Sequence, residues 1–281
     1  MDKDKNKAMQ IGNKVFEVGK HTYVMGILNV TPDSFSDGGK FNRPDAALAH
    51  VEQMAEEGAD IIDIGGESTR PGHQQISEEE EIERTAPIVE LVKRRFDIPV
   101  SVDTYKANVA KACLEAGAGL VNDVWGLKYD KAMAGLIADA GAACCLMHNR
   151  DGAVYGNFME ELKSDLEETL ALAKAGGIPE QNIILDPGVG FGKTYQHNLE
   201  AICKLGELHS LGYPLLLGAS RKSVVGLALD LPVEERLEGT LVTTVQAVMA
   251  GYAFVRVHDV KENKRAIQMA EAIREGWKDA R

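Results

Sequence analysis

Apolar positions along the chain fall into two alternating textures. Short β-branched or aliphatic runs at 23–28, 61–64, 99–102, 119–121, 143–147, 183–185, 215–217 and 254–257 begin 20 to 40 residues apart. Between them lie longer stretches of helical period, among them 45–57, 78–96, 106–116, 158–175 and 260–275. Several of these close on glycine, as Glu57-Gly58, Ala116-Gly117 and Ala140-Gly141 do, which suits a helix C-cap. Eight such strand–helix units with no Pro/Gly linker between them predict one α/β domain, a single (β/α)8 TIM barrel. A doubly wound open sheet is the structural competitor. Residues 14–23 alternate about Gly19 and predict an additional N-terminal β-hairpin covering the bottom of the barrel. On this reading residues 1–13 are a flexible N-terminal segment and 14–281 are the barrel domain.

Length and charge narrow the partners. The 281 residues suit one α/β barrel, and 44% hydrophobic content supports a sizeable core. With 43 acidic against 31 basic residues the formal net charge is −12, a field that repels nucleic acid and anionic membranes. Any bound phosphate must therefore be held by local donors. Cys113, Cys144, Cys145 and Cys203 form no CxxC pair, which predicts small buried hydrophobes in a reducing cytosol rather than a disulfide framework or a zinc site. The charged opening MDKDKNKAMQ has no apolar core of a signal peptide, and no stretch has the length of a membrane span, so a cytoplasmic protein is expected.

Chemistry enters at the ends of the apolar runs. The first ends in Asn29, the second contains Asp63, the third ends in Asp103 and the fourth in Asn122. The sixth ends in Asp186, the seventh runs into Ser220-Arg221-Lys222, and the eighth carries Arg256 and His258. One strand-end Asp is ordinarily a helix N-cap. Here the position is polar in seven of eight units, and in a barrel these positions converge on one mouth. Ionised carboxylates only accept, so Asp63, Asp103 and Asp186 call for a ligand or network rich in N–H groups. Arg221, Lys222, Arg256 and His258 make the other half of the mouth cationic. A ligand with a donor-rich ring at one end and an anionic group at the other satisfies both halves.

Glycine-rich loops complete the mouth. Residues 31–39 and 65–72 are dense in turn formers and hydroxyls, which suits either substrate-covering loops or solvated turns. The segment DPGVGFGKT at 186–194 is not a Walker A loop, because Pro187 stands where its first glycine is required; nor is it GxGxxG. No HExxH or clustered Cys/His motif is present. The run Glu78-Glu79-Glu80-Glu81 opens a helix, where acidic charge suits the macrodipole. His148 follows a strand end without an assignable role, and Trp125 reads as core packing.

GILNVTPDSFSDGG at 26–39 and DIGGESTRPG at 63–72 resemble the two signature loops of the dihydropteroate synthase family. SVDT at 101–104, Asn122-Asp123, DPGVGFGK at 186–193, SRKS at 220–223 and RVHD at 256–259 follow in the family's order, so the resemblance spans residues 26–260. It implies a transferase of folate biosynthesis that joins 6-hydroxymethyl-7,8-dihydropterin pyrophosphate to p-aminobenzoate, releasing pyrophosphate. It implies that Asp103, Asn122, Met147, Asp186 and Lys222 hold the pterin. Asn29, Thr69, Arg70, Arg256 and His258 would hold the pyrophosphate, Asn29 also ligating Mg²⁺, which takes most of its ligands from phosphate and water. p-Aminobenzoate would lie against Phe35, Ser36, Pro71, Phe191, Lys222 and Ser223. Asp33, Lys222, Arg256 and His258 are the implied catalytic residues of a largely dissociative reaction. The resemblance also implies a homodimer and sulfonamide competition at the p-aminobenzoate site. Three other readings remain: a corrinoid-dependent methyltransferase acting on methyltetrahydrofolate, a Schiff-base aldolase using Lys222, and a non-catalytic pterin-binding module.

Overall fold

Ten strands and nine α-helices account for most of the computed structural model, which describes residues 7–31, 43–68 and 75–276. A small antiparallel pair, β1 (Lys7–Ile11) and β2 (Lys14–Val18), precedes the main sheet. The main sheet holds β3 (Tyr23–Asn29), β4 (Ile61–Gly65), β5 (Val100–Asp103), β6 (Leu120–Asp123), β7 (Ala143–Met147), β8 (Ile183–Asp186), β9 (Leu216–Leu217) and β10 (Phe254–Val257). Among them run α1 (Arg43–Glu56), α2 (Glu78–Arg95), α3 (Ala107–Glu115), α4 (Met133–Ala140), α5 (Phe158–Ala175), α6 (Tyr195–Cys203), α7 (Ser223–Leu229), α8 (Leu237–Met249) and α9 (Val260–Glu275).

The strands pair in parallel in the order β8-β7-β6-β5-β4-β3-β10-β9. A parallel bridge between Leu185 and Leu215, with Leu185 N–H donating to Pro214 O at 2.9 Å, joins the two ends. That closure removes the open-sheet competitor and gives the TIM barrel.

Strand period two sorts the side chains into two cores. Outward residues such as Val24, Leu28, Ile62, Ile64, Val100, Val102, Val121 and Leu146 pack with the helices. Inward residues Met25, Ile61, Leu120, Ala143, Cys145, Ile184, Leu216 and Phe254 fill the lower barrel. Met9, Ile11 and Phe16 of the hairpin join that inner cluster, Phe16 meeting Tyr23 edge-on at 4.9 Å and Phe254 at 5.7 Å. The hairpin is therefore the floor of the barrel, as expected, but its turn lies earlier than the alternation about Gly19 implied. Ile11 pairs with Lys14, leaving a two-residue Gly12-Asn13 loop in which Gly12 takes φ 56°. That loop is the tight hairpin connection, and Gly19 instead carries the chain from β2 into β3. The strand β1 lies inside the segment 1–13 that the sequence pattern set apart.

Candidate active site

Moving up from the apolar floor, the inward positions turn polar. Register places Asp63 beside Ser101, Asp103 beside Asn122, and Met147 beside Asp186. These residues sit in almost dry surroundings: relative exposure is 0% for Asp63, 6% for Asp103, 5% for Asn122 and 4% for Asp186. Four strands thus deliver carboxylates and an amide to one enclosed space.

Arg256 of β10 binds two of the carboxylates. Its Nε donates to Asp63 Oδ2 at 2.5 Å and its Nη2 to Asp103 Oδ2 at 2.6 Å. Asn122 Nδ2 adds a bond to Asp63 Oδ2 at 3.2 Å. The cation expected on the rim therefore reaches down among the acids, and its guanidinium is held strongly protonated because Asp63 and Asp103 outweigh the cost of its burial. Even so the acids are incompletely satisfied. Asp63 Oδ1, Asp103 Oδ1 and Ser101 Oγ are buried with no hydrogen-bond partner among the described residues. Such orphaned acceptors are costly unless a ligand brings donors. Burial pushes the Asp103 carboxyl up to about 7, against the pull of Arg256 and with a further push from Asp63.

A second acid–base pair stands across the mouth. Asp186 Oδ1 accepts from Gly188 N at 2.7 Å. Gly218 leaves the gap between the partners: a Cβ there would meet Asp186 Oδ2 at 3.4 Å and Lys222 Nζ at 3.8 Å. Lys222 Nζ donates to Val189 O at 2.5 Å and lies 4.7 Å from the Phe191 ring centroid. Burial brings Lys222 down to about 8, with Asp186 pulling back, and burial raises Asp186, with Lys222 pulling back. Met147 packs with Tyr105 and Val124, and Phe191 and Trp125 lie against the same cluster, so pterin- and p-aminobenzoate-assigned residues are contiguous.

The remaining sequence candidates separate into three groups. Asn29 is exposed at the top of β3, its Oδ1 3.8 Å from where a Cβ on Gly65 would stand, and a Cβ there would also lie 3.7 Å from Asp103 Oδ2. His258 is half-buried with Nδ1 3.0 Å from Ser220 Oγ, and Ser223 is exposed at the start of α7. Arg221, counted among the cations of the mouth, is bound by Asp259, Nε to Oδ2 at 2.9 Å, in a left-handed backbone conformation of φ 54°. Asp33, Phe35, Ser36, Thr69, Arg70 and Pro71 lie outside the described residues. No group of three or more His, Cys, Asp or Glu side chains could hold a metal among the described residues. No helix of the described residues is long and apolar enough to cross a membrane.

Two features were only half legible. Asp63 was visible as an acid inside an apolar strand, yet the family resemblance gave it no role; the structure makes it the partner of Arg256. Glu81, read as a macrodipole residue, is buried and bonded by Lys106 Nζ at 2.8 Å, which also bonds Glu67 at 2.6 Å.

The model of the pterin-binding enzymes matches residues 25–258. The chain belongs to this family. A curated dihydropteroate synthase of Clostridium beijerinckii is 60% identical over 266 residues, covering 94% of this chain and 99% of that one. Among solved structures, the dihydropteroate synthase of Clostridium difficile with pteroic acid has a TM-score of 0.90 at 52% identity, covering 92% of this chain and 98% of that one. That of Xanthomonas albilineans with 4-aminobenzoic acid has a TM-score of 0.92 at 37% identity, covering 97% and 100%. The activity of this pterin-binding chain is accordingly that of a dihydropteroate synthase, a transferase that releases pyrophosphate, not of a corrinoid methyltransferase or an aldolase.

Proposed function

We propose that the orphaned acids at the barrel mouth receive a dihydropterin, and that the cationic half receives its pyrophosphate. The observation that carries this reading is the convergence of Asp63 Oδ1, Asp103 Oδ1 and Ser101 Oγ, all buried and without a hydrogen-bond partner among the described residues, beside Asp186 and Lys222. A pterin edge supplies amino and ring N–H donors to carboxylates and ring acceptors to an ammonium. Asp103, Asn122, Met147, Asp186 and Lys222 hold the ring. p-Aminobenzoate lies nearer the surface, against Phe191 and Ser223 and against Phe35, Ser36 and Pro71. The pteroic acid and 4-aminobenzoic acid of the two related structures are consistent with these two ends.

In the reaction the bond between the pterin methylene carbon and the pyrophosphate oxygen breaks, and the electron pair leaves with pyrophosphate. The arylamine nitrogen then forms the new C–N bond and loses a proton. Asn29, Thr69, Arg70, Arg256 and His258 hold the leaving group, where fixed positive charge is worth most. Asp33 faces the cationic carbon. Mg²⁺ fits the donor set: Asn29 offers a neutral amide oxygen at the exposed top of β3, and a hard cation that takes phosphate and water needs little more from the protein. When bound it supplies charge neutralisation to the pyrophosphate.

A homodimer is supported by the outer faces of α7, α8 and α9, where Leu227, Val242, Met249, Met269 and Ile273 are exposed on neighbouring helices. The four free cysteines support a cytoplasmic location. Sulfonamides would compete at the p-aminobenzoate end.

The deciding experiment supplies purified protein with dihydropterin pyrophosphate and p-aminobenzoate, with and without Mg²⁺, and follows pyrophosphate. Release that depends on both substrates and on Mg²⁺ is expected. Tight pterin binding without release would make the chain a non-catalytic binding module.

A further inference from the structure

The segment from Pro187 to Gly192 carries much of the pterin site on a backbone with little intrinsic preference. Its three glycines take φ 68°, 90° and 54°, a region that side chains disfavour. Yet Gly188 N–H fixes Asp186, Val189 O fixes Lys222, and the Phe191 ring lies beside Lys222. Something must hold that loop in one shape.

Lys193 closes it from behind. Its Nζ donates to Gly188 O at 2.9 Å and Phe191 O at 3.0 Å, the two carbonyls that bracket Val189. The third contact is His148 Nδ1 at 2.7 Å. Three acceptors around one nitrogen match the three N–H bonds of an ammonium. His148 has a side chain with 0% exposure, and its Nε2 stands 2.9 Å from Asp165 Oδ2. Donation from Nε2 to that carboxylate leaves Nδ1 as the acceptor for Lys193. Asp165 is itself held by Arg150, Nε to Oδ2 at 2.9 Å and Nη2 to Oδ2 at 2.6 Å. The backbone is stitched in the same place: His148 N–H donates to Asp186 O at 2.9 Å, and a Cβ on Gly188 would stand 1.9 Å from His148 O. Tyr155 and Asn198 hold Gly192 O and Gly190 N, and Phe191 N–H bonds Gly188 O at 3.1 Å; Lys193 adds the side-chain tie that joins Gly188 O and Phe191 O to His148.

We propose that Lys193 is a positioning residue for pterin binding, oriented by the buried His148 and its half-buried partner Asp165, which sets Asp186 and Lys222 by pinning the loop that carries their partners. The proposal rests on the reading that Asp186 and Lys222 hold the pterin. Lys193 Nζ is occupied by Gly188 O, Phe191 O and His148 Nδ1, so it acts through the loop; its work is to make three glycines behave as a fixed surface. The sequence singled out this segment as a failed nucleotide loop and left His148 without a role. Both are accounted for by one structure, a glycine loop whose lysine points back into the fold rather than out to a phosphate.

The test is calorimetric affinity for dihydropterin pyrophosphate at a temperature well below each variant's own melting point, for Lys193→Met, Lys193→Gln, His148→Leu, His148→Gln and Asp186→Asn. Lys193→Met should weaken binding tenfold or more and raise the KM for the pterin by a similar factor, with kcat falling less. Lys193→Gln, which keeps two N–H donors, should recover part of the loss. His148→Leu should weaken binding severalfold, and His148→Gln, whose amide oxygen still accepts from Lys193, should bind nearly as the parent does. Binding by Lys193→Met within twofold of the parent, with only its melting temperature lowered, overturns the proposal. If Lys193→Met does not fold, equal affinity of His148→Leu and His148→Gln overturns it instead. An unchanged Asp186→Asn would sink the pterin-site reading itself, whereas a weakened Asp186→Asn beside a normal Lys193→Met sinks the positioning role alone.

Discussion

Arg256 bonds one oxygen of Asp103 at 2.6 Å, and the other oxygen of that carboxylate is buried without a partner among the described residues. The pair is half satisfied, which is a costly state for a buried acid and one that a donor-bearing ligand relieves. It explains why burial prevails over Arg256 and carries the Asp103 carboxyl up to about 7.

A pH signature follows from that shift. A carboxyl whose folded pKa lies above its unfolded value favours the fold while protonated, and its contribution is lost as pH rises through the folded value. Asp103 therefore weakens the ligand-free protein progressively from about pH 4 to pH 7. Asp103→Asn lacks that titration. Its melting temperature relative to the parent should climb across this window and level off above it, as thermal scans at several pH values would show. A difference that stays flat, or runs the other way, contradicts the assigned direction. The comparison between variants cancels the opposing shift of His148, which burial lowers to about 3.

Asp186→Asn should weaken pterin binding. Asp186 keeps one oxygen on Gly188 N at 2.7 Å and turns the other toward the gap left by Gly218. An amide cannot accept through both atoms, and a charge-assisted hydrogen bond contributes about 1.5–3 kcal/mol. Calorimetry should show a dissociation constant about 10- to 150-fold higher. Unchanged affinity would remove Asp186 from the pterin site.

Much of this was legible in the sequence because a barrel converts period two into an inner and an outer set. Asp103, Asn122 and Asp186 could be placed at the mouth simply as the last polar residues of apolar strands, and the structure delivers them there. The ion pair between Asp63 and Arg256 could not be read, since 193 positions separate them and only closure of the sheet brings β10 against β3 and near β4. The hairpin turn was misplaced because Gly19 and Gly12 both suit a turn, and burial of Met9 and Ile11 against Phe254 and Met25 decides between them. Lys193 was hidden for another reason: a lysine after a glycine loop ordinarily points at phosphate, and nothing local says that His148 will accept it.

The family resemblance predicts that Asp33→Ala lowers turnover more than pterin affinity, because a carboxylate facing a cationic carbon acts mainly in the transition state. Steady-state kinetics paired with calorimetry checks this. Equal losses in both would leave Asp33 a binding residue only.

The apolar outer face of α8 and α9 carries a separate expectation. Val242 and Met249 are seven residues apart on one helical face, and Met269 and Ile273 are four apart on the next helix. Val242→Glu places a charge in any interface built there. Light scattering should show the parent at twice the chain mass and the variant shifted toward monomer, with the barrel still folded by circular dichroism. A parent that is monomeric at micromolar concentration would dismiss the dimer.

The sharpest stability prediction concerns Lys106. Its Nζ donates to Glu67 Oε2 at 2.6 Å, to Glu81 Oε2 at 2.8 Å and to Ile76 O at 2.8 Å, while Glu67 Oε2 also accepts from Ile76 N at 3.0 Å. Two buried carboxylates thus share one buried ammonium, and Ile76 is held through both its N–H and its C=O. Burial keeps the Glu81 carboxyl above its usual range despite the pull of Lys106, so little is in reserve once the cation is gone. Removing one partner of such a group leaves uncompensated charge, at about 3–5 kcal/mol. Lys106→Met should therefore show a loss of that size in urea titrations. Adding Glu81→Gln should restore part of it, since the remaining acid, Glu67, keeps the Tyr105 hydroxyl at 2.5 Å and the Ile76 amide as donors. A double variant no more stable than Lys106→Met would mean that like-charge burial is not what the lysine offsets, and that its bond to Ile76 O is the larger part of its contribution.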